Sequence, residues 1–216
     1  ATSLSEFEIN AGSGALEVRG QSGLDEITVT ADIYTDSKSR DNYDLSLTEA
    51  GNTATLVAKN HSTSGFWVGS SPRIDIVVYV PSEIVLDIDD GSGDMRVTGI
   101  NANVRIHDGS GDMEISQING NLNIDDGSGE IDLSDIRGDL TIDDGSGSIY
   151  AKNIFGNAVF EDGSGDLTVK KVTGNVTIDD GSGDINVQDA GGLTILETGS
   201  GGLHVKGIEG HFEIDS

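Results

Sequence analysis

From residue 90 onward, apolar and polar positions recur every 18 residues without an insertion. The tetrapeptide Asp-Gly-Ser-Gly begins at Asp90, Asp108, Asp126, Asp144, Asp162 and Asp180, and a variant begins at Thr198. Counting that first residue as position one, a representative copy reads DGSGDMEISQINGNLNID (108–125). Position six is Met95, Met113, Ile131, Ile149, Leu167, Ile185 and Leu203, and position eight is Val97, Ile115, Leu133, Ala151, Val169, Val187 and Val205. Position eleven is aliphatic throughout, from Ile100 to Ile208, and a second alternating pair follows at positions fifteen and seventeen, as in Leu122/Ile124 and Val176/Ile178. Spacing of two is strand periodicity, so each copy predicts two short strands of about four residues.

A unit of that size has no core of its own. Stacking each copy on the next buries all five apolar columns, which predicts an all-β fold: a single-stranded parallel β-solenoid (β-helix) with 18-residue coils. At roughly 4.8 Å per coil, the seven coils span about 34 Å. Copy six, with Leu193, Thr194, Ile195 and Leu196 in succession, blurs the alternation and predicts a local irregularity. A helical reading fails, because three glycines per copy would each cost about 1 kcal/mol in a helix.

The first 86 residues follow the pattern only once, at Phe7 to Val18 around Ala11-Gly12-Ser13-Gly14. Longer alternations follow at Ile27 to Ile33 and at Ile74 to Val80, the latter stopped by Pro81. Tyr43/Leu45/Leu47 and Ala54/Leu56/Ala58 flank Glu49-Ala50-Gly51-Asn52 as a hairpin. The expected organisation is therefore an N-terminal β cap region with longer strands over 1–86, including one divergent repeat, and a solenoid of seven repeats over 87–216. The segment 60–71 carries Phe66 and Trp67, which either pack over the end of the core or stand exposed as a contact site. The last coil shows no cap: it is a chain cut short, an end-to-end partner surface, or a coil polar enough to stand exposed. Ala1-Thr2-Ser3 is neither basic nor apolar, and a leading alanine suits a chain from which a secretory signal has been removed.

Composition now acquires meaning. Of the 24 glycines after residue 89, 20 fall in three columns: the two of the tetrapeptide and the run Gly120, Gly138, Gly156, Gly174, Gly192, Gly210. They belong to corners where each coil turns alike. The net charge of −26 excludes nucleic acid and anionic lipid as partners, and no apolar run reaches the length of a transmembrane segment. With no cysteine, disulfides, thiolate zinc sites and thiol catalysis are excluded.

With Asp-Gly-Ser-Gly-Asp-Met/Ile, the glycine columns, Gly99-Ile100-Asn101 and Gln117-Ile118-Asn119-Gly120 in view, the chain resembles bacterial adhesin families. These are the auto-transporter adhesin head domain of the GIN type, named for Gly-Ile-Asn, and a related adhesin-labelled domain of unknown function. The stretch Ile74 to Val80 with Pro81, leading into Asp-Gly-Ser-Gly, shares the likeness, which covers essentially the whole chain. The resemblance implies a secreted or envelope-associated bacterial protein (periplasm, cell surface or extracellular) with a surface or adhesion role, and it carries over no catalytic residue.

The most chemically loaded feature is a set of stacked acids expected along one edge of the rod: Asp90, Asp108, Asp126, Asp144, Asp162 and Asp180 at position one, the preceding column of Asp89, Asp125, Asp143, Glu161, Asp179, Glu197 and Asp215 interrupted by His107, and Asp94, Asp112, Glu130, Asp166 and Asp184 at position five. Two unit charges about 4.8 Å apart repel by roughly 0.9 kcal/mol in water and 3–4 kcal/mol at an effective dielectric near 20, so the columns need hydration, backbone donors or cations. The structural reading makes position one an Asx-type acceptor for the Gly-Ser-Gly amides. The functional reading makes the six aspartates a cation ladder, with Ca²⁺ as the ion. The calcium β-roll nonapeptide does not match, since here Asp directly follows the second glycine. Lys152, Lys170 and Lys206 share a column, with Lys171 beside it: a solvated face that moderates charge, or a stripe for an anionic glycan or a neighbour's acidic edge.

A catalytic site should break the repeat with loops that build a cleft, and no insertion occurs between residues 90 and 198. The sequence therefore reads as a non-enzymatic surface interaction module for an unidentified surface, glycan or protein ligand, with end-to-end self-association through the uncapped coil as one mode. The alternative is a carbohydrate-active or Ca²⁺-dependent polysaccharide-binding module.

Overall fold

A computed structural model describes residues 4–35, 42–61 and 72–215. Phe66 and Trp67 lie outside the described residues. The chain begins with β1 (Glu6–Ala11) and β2 (Leu16–Gln21), continues through β3 (Thr28–Tyr34), β4 (Tyr43–Ala50), β5 (Thr53–Asn60) and β6 (Arg73–Pro81), and enters the regular repeats at β7 (Val85–Asp90) and β8 (Met95–Ile100). The repeats then supply β9 (Val104–Asp108), β10 (Met113–Ile118), β11 (Leu122–Asp126), β12 (Ile131–Ile136), β13 (Leu140–Asp144), β14 (Ile149–Ile154) and β15 (Ala158–Asp162). The long strands β16 (Leu167–Asp180) and β17 (Ile185–Glu197) each run past a corner, and β18 (Leu203–Ile208) and β19 (Phe212–Ile214) complete the described chain.

This is the parallel β-solenoid that the periodicity predicts. Strand β10 pairs in parallel with β8 and β12, and β11 with β9 and β13, each residue facing its equivalent 18 residues away, as in Met113↔Ile131 and Leu122↔Leu140. Position six, eight, eleven, fifteen and seventeen side chains fill the interior, from Ile88 through Ile106, Ile124, Ile142, Phe160 and Ile178. No helix among the described residues is long and apolar enough to cross a membrane.

Position eleven is buried because of a corner that the glycine columns do not mark. Position ten adopts a left-handed backbone in successive coils: Gln117, Asp135, Asn153, Lys171 and Asp189 have φ of 57–60°, and Gly99 and Gly207 lie at 78° and 71°. That residue is skipped in the pairing, since Ser116↔Ser134 is followed by Ile118↔Ile136. The skip returns the next side chain to the interior. At position four, by contrast, glycine is obligatory: Gly147 has φ of 146°, and a Cβ there would collide with the carbonyl oxygen of Gly129 in the coil before.

The irregularity expected in copy six is a one-residue slip. Val176 pairs with Leu193 and Ile178 with Ile195, while Leu193 in turn pairs with Phe212 and Ile195 with Ile214. A strict 18-residue register would place Thr194 and Leu196 inward; instead Leu193 and Ile195 are buried and Leu196 is 48% exposed.

The N-terminal strands do not sit where chain order suggests. Strand β1 lies between β5 and β7, and β2 between β6 and β8, all in parallel. The first repeat is therefore an internal coil, clamped on one side by β5–β6 and on the other by the regular repeats. Ser13 bridges Ser92, and the oxygens of Gly12 and Gly14 occupy the space where Gly91 and Gly93 would carry a Cβ. Beyond this, β3 and β4 run antiparallel to β6 and β5 and close that end. At the other end β18 and β19 leave Leu203, Phe212 and Ile214 39–48% exposed.

Two substitutions separate the corner types. Gly147→Ala should lower stability by at least about 3 kcal/mol, because both φ and the stacked carbonyl oppose a Cβ. Lys171→Gly should raise it by about 1 kcal/mol by relieving a left-handed non-glycine residue. Thermal melts of the two variants against the wild type measure both.

Candidate functional site

The acidic columns separate into an interior file and exposed rows. Along each strand leading into the Gly-Ser-Gly turn, inward positions fall on every second residue, as in Leu122, Ile124 and Asp126. Position one thus continues the inward parity, and Asp90, Asp108, Asp126, Asp144, Asp162 and Asp180 are 0–4% exposed. The preceding residues (Asp89, Asp125, Asp143, Glu161) and those at position five (Asp94, Asp112, Glu130, Asp166, Asp184) face solvent. The stacked acids therefore do not form one exposed edge: the turn divides them.

Each member of the interior file uses one oxygen. Oδ1 of Asp108, Asp126, Asp144, Asp162 and Asp180 accepts a hydrogen bond from the backbone N–H of Ser110, Ser128, Ser146, Ser164 and Ser182 at 2.9–3.3 Å, and Asp90 Oδ1 accepts from Gly91 at 2.9 Å. The second oxygen, Oδ2, is buried in all six and has no hydrogen-bond partner in the protein. Burial raises these carboxyls above the ordinary carboxylate range: Asp90 to about 7 and Asp108, Asp144 and Asp162 to about 6, with Asp126 and Asp180 raised as well. Repulsion from the stacked neighbour is the next largest cause for Asp90, Asp108 and Asp162, and the turn amides oppose the shift.

The exposed acids also do backbone work. Asp112 Oδ1 accepts from Glu130 N–H at 3.0 Å, Asp166 Oδ1 from Asp184 N–H at 3.0 Å and Asp184 Oδ1 from Gly202 N–H at 2.7 Å, each one coil further on. A second ladder, at position fourteen, escaped the sequence reading: the side chains of Asn103, Asn121, Asp139 and Asn157 accept from the backbone of Asn121, Asp139, Asn157 and Asn175. Its signal was present as an Asn/Asp column directly after the third glycine column.

Elsewhere the surface offers shallow clefts. One is lined by Glu17, Asp94, Arg96, Asp112, Glu114 and Asp132. Within it Arg96 bonds Glu114 in the next coil. The carboxyls with raised pKa lie behind the turn and line none of it. Among the described residues no three His, Asp or Glu side chains converge to hold a metal ion. Lys152 and Lys170 face each other in register, Gln188 interrupts the column, and Lys206 resumes it. The Lys170 Nζ lies 5.3 Å from the centre of the Tyr150 ring. Of the histidines, His61, His107 and His211 pair with Asp44, Asp125 and Glu213 at 2.9–3.3 Å.

Neighbouring carboxyls on one strand should respond unequally to truncation. Asp144→Ala should cost about 1–3 kcal/mol, through loss of the acceptor for Ser146 N–H and a cavity behind the turn. Asp143→Ala, one residue away and exposed, should stay within about 0.5 kcal/mol of the wild type. Paired thermal melts measure the contrast.

Comparisons with known proteins match the whole chain rather than one part of it. A solved structure described as a "putative cell adhesion protein" from Clostridium sporogenes ATCC 15579 is similar, with 13% sequence identity, a TM-score of 0.39, and coverage of 99% of this chain and 93% of that one. No curated protein matches. The family model Toastrack DUF4097 matches residues 4–213, a span that takes in both the N-terminal strands and every coil of the rod, and the chain belongs to that family.

Proposed function

We propose that this chain is a non-enzymatic interaction rod of the bacterial envelope or exterior, binding a surface polymer or protein through its repeated faces. The observation that carries this reading is the unbroken coil-to-coil register from β7 to β15, flanked by exposed acidic rows on both sides of the Gly-Ser-Gly turn. A catalytic centre needs one coil to differ from its neighbours, with loops enclosing a reaction space. Here successive coils present the same groups at the same spacing, an arrangement suited to multivalent contact with a polymer or a lattice. The resemblance to adhesin families agrees with that role, and an adhesin head of the GIN type is its most specific form.

An anionic polysaccharide is the second reading, favoured by the Lys152–Lys170 pair beside Tyr150. Glycan-array and surface-binding measurements test both. Salt-sensitive binding without turnover is expected, and hydrolysis of any polysaccharide that is lost on changing one particular carboxylate would overturn the non-enzymatic reading. Binding confined to acidic glycans and lost in Lys152→Glu/Lys170→Glu would select the lysine stripe.

Calcium is expected to act only as a diffuse counter-ion. One oxygen each of Asp112, Asp166 and Asp184 at position five already accepts a backbone hydrogen bond, and position one is shielded. Calorimetric titration with CaCl₂ at low ionic strength should give no saturable heat.

A further inference from the structure

The six interior aspartates raise a question of electroneutrality. The buried polar and charged residues of the described chain are Ser82 and these six, so no lysine, arginine or histidine is buried to balance them. They stand one per coil in register, Asp90↔Asp108, Asp108↔Asp126, Asp126↔Asp144, Asp144↔Asp162 and Asp162↔Asp180, at the strand spacing of about 4.8 Å. The inward residues flanking them in each coil are apolar, Ile106 and Met113 around Asp108, Ile124 and Ile131 around Asp126. In each aspartate Oδ1 is engaged by a turn amide while Oδ2 is buried and unpartnered. Six adjacent carboxylates in such surroundings would each bear a desolvation cost and the repulsion of their neighbours.

Neutralisation requires a ligand of positive charge that reaches Oδ2 from inside the coil. The described residues hold no cluster that would complete the coordination of a metal ion, which needs six or more oxygens for Ca²⁺. A proton needs one oxygen and no added space. We propose that the file is a proton-binding column: the rod folds with protons held on the interior Oδ2 atoms, and its Gly-Ser-Gly corners loosen as those protons leave.

The groups facing the file reinforce this. Asp90 faces Asp89 and Asp108; Asp108 faces Asp90, Asp126 and His107; Asp126 faces Asp108, Asp144, Asp125 and His107; Asp144 faces Asp126, Asp162 and Asp143; Asp162 faces Asp144, Asp180 and Asp166; and Asp180 faces Asp162, Asp166 and Asp179. All are acids except His107, whose 61% exposed side chain already pairs with Asp125. Because each interior carboxyl holds its proton more tightly folded than unfolded, its contribution to stability is complete below about pH 4, the ordinary carboxylate range. That contribution is lost as pH rises through about 6 for Asp108, Asp144 and Asp162 and about 7 for Asp90. Stacked neighbours titrate as a coupled set, so alternate members ionise first and the last protons leave at higher pH.

The test uses the whole chain. Carbon-detected NMR of the aspartate Cγ signals should show a group of carboxyls titrating above pH 5.5, in more than one step, apart from the surface acids. The melting temperature should fall by roughly 5 °C or more between pH 5.5 and pH 8, a window above the ordinary carboxylate range. The variant Asp126→Asn/Asp144→Asn/Asp162→Asn imitates the neutral acid in shape and in its Oδ1 acceptor. It should fold and should decline measurably less than the wild type over the same window, the remainder coming from Asp90, Asp108 and Asp180. The proposal is overturned if every Cγ titrates below pH 4.5, or if the variant declines as steeply as the wild type. It is also overturned if CaCl₂ at pH 7.5 raises the wild-type melting temperature but not the variant's, because the file would then hold a cation in place of protons.

Discussion

Stacking identical coils about 4.8 Å apart satisfies the backbone along strands but leaves it in difficulty at corners, where N–H groups turn away from the ladder and atoms of successive coils crowd together. The rest of this structure follows from how that is solved. Glycine provides the room: at Gly147 and its equivalents even one methyl group would strike the coil below. Asx side chains provide the acceptors, within the turn at position one and across to the next coil at positions five and fourteen. Hydrogen bonds between coils complete the corner, as from Gly111 N–H to Ser128 O at 3.0 Å. The glycine and aspartate content thus belongs largely to backbone geometry.

That solution has an electrostatic consequence. A carboxylate is a strong acceptor for backbone N–H groups, so repeating the corner repeats the charge, and the chain reaches −26. At positions five and eighteen water screens the charge. At position one the same side chain closes the turn from inside and loses that hydration. One residue type in one repeat therefore has two chemistries, set by which side of the turn it faces. The exposed rows repeat in the same manner, presenting similar acidic groups at one step per coil.

Breaks in the pattern also have local causes. The slip around Leu193 keeps the interior filled by exchanging a strict period for burial of Leu193 and Ile195, with Leu196 turned out as the extra residue. Its signal was readable, because four consecutive residues there compete for two inward positions. The left-handed corner at position ten was less readable. Glycine occupies it only at Gly99 and Gly207, while Gln117 and Lys171 give no hint of positive φ and are held there by the stacking of coils on either side.

The sequence alone determined the coil length, the inward columns and the all-β class, because the direction of a side chain along a strand is a local property and an 18-residue period repeats it seven times. Parity along the strand even contained the inward placement of Asp108 and Asp126, two residues beyond Ile106 and Ile124. The tertiary structure alone decided that β1 and β2 lie inside the rod, between a coil formed later in the chain and the first regular repeat. It also decided that six carboxyls share a buried file with no buried counter-charge among the described residues. Both are questions of which segments stack on which, and that choice is made by long-range packing of corners and core, which the periodicity of a single strand does not contain.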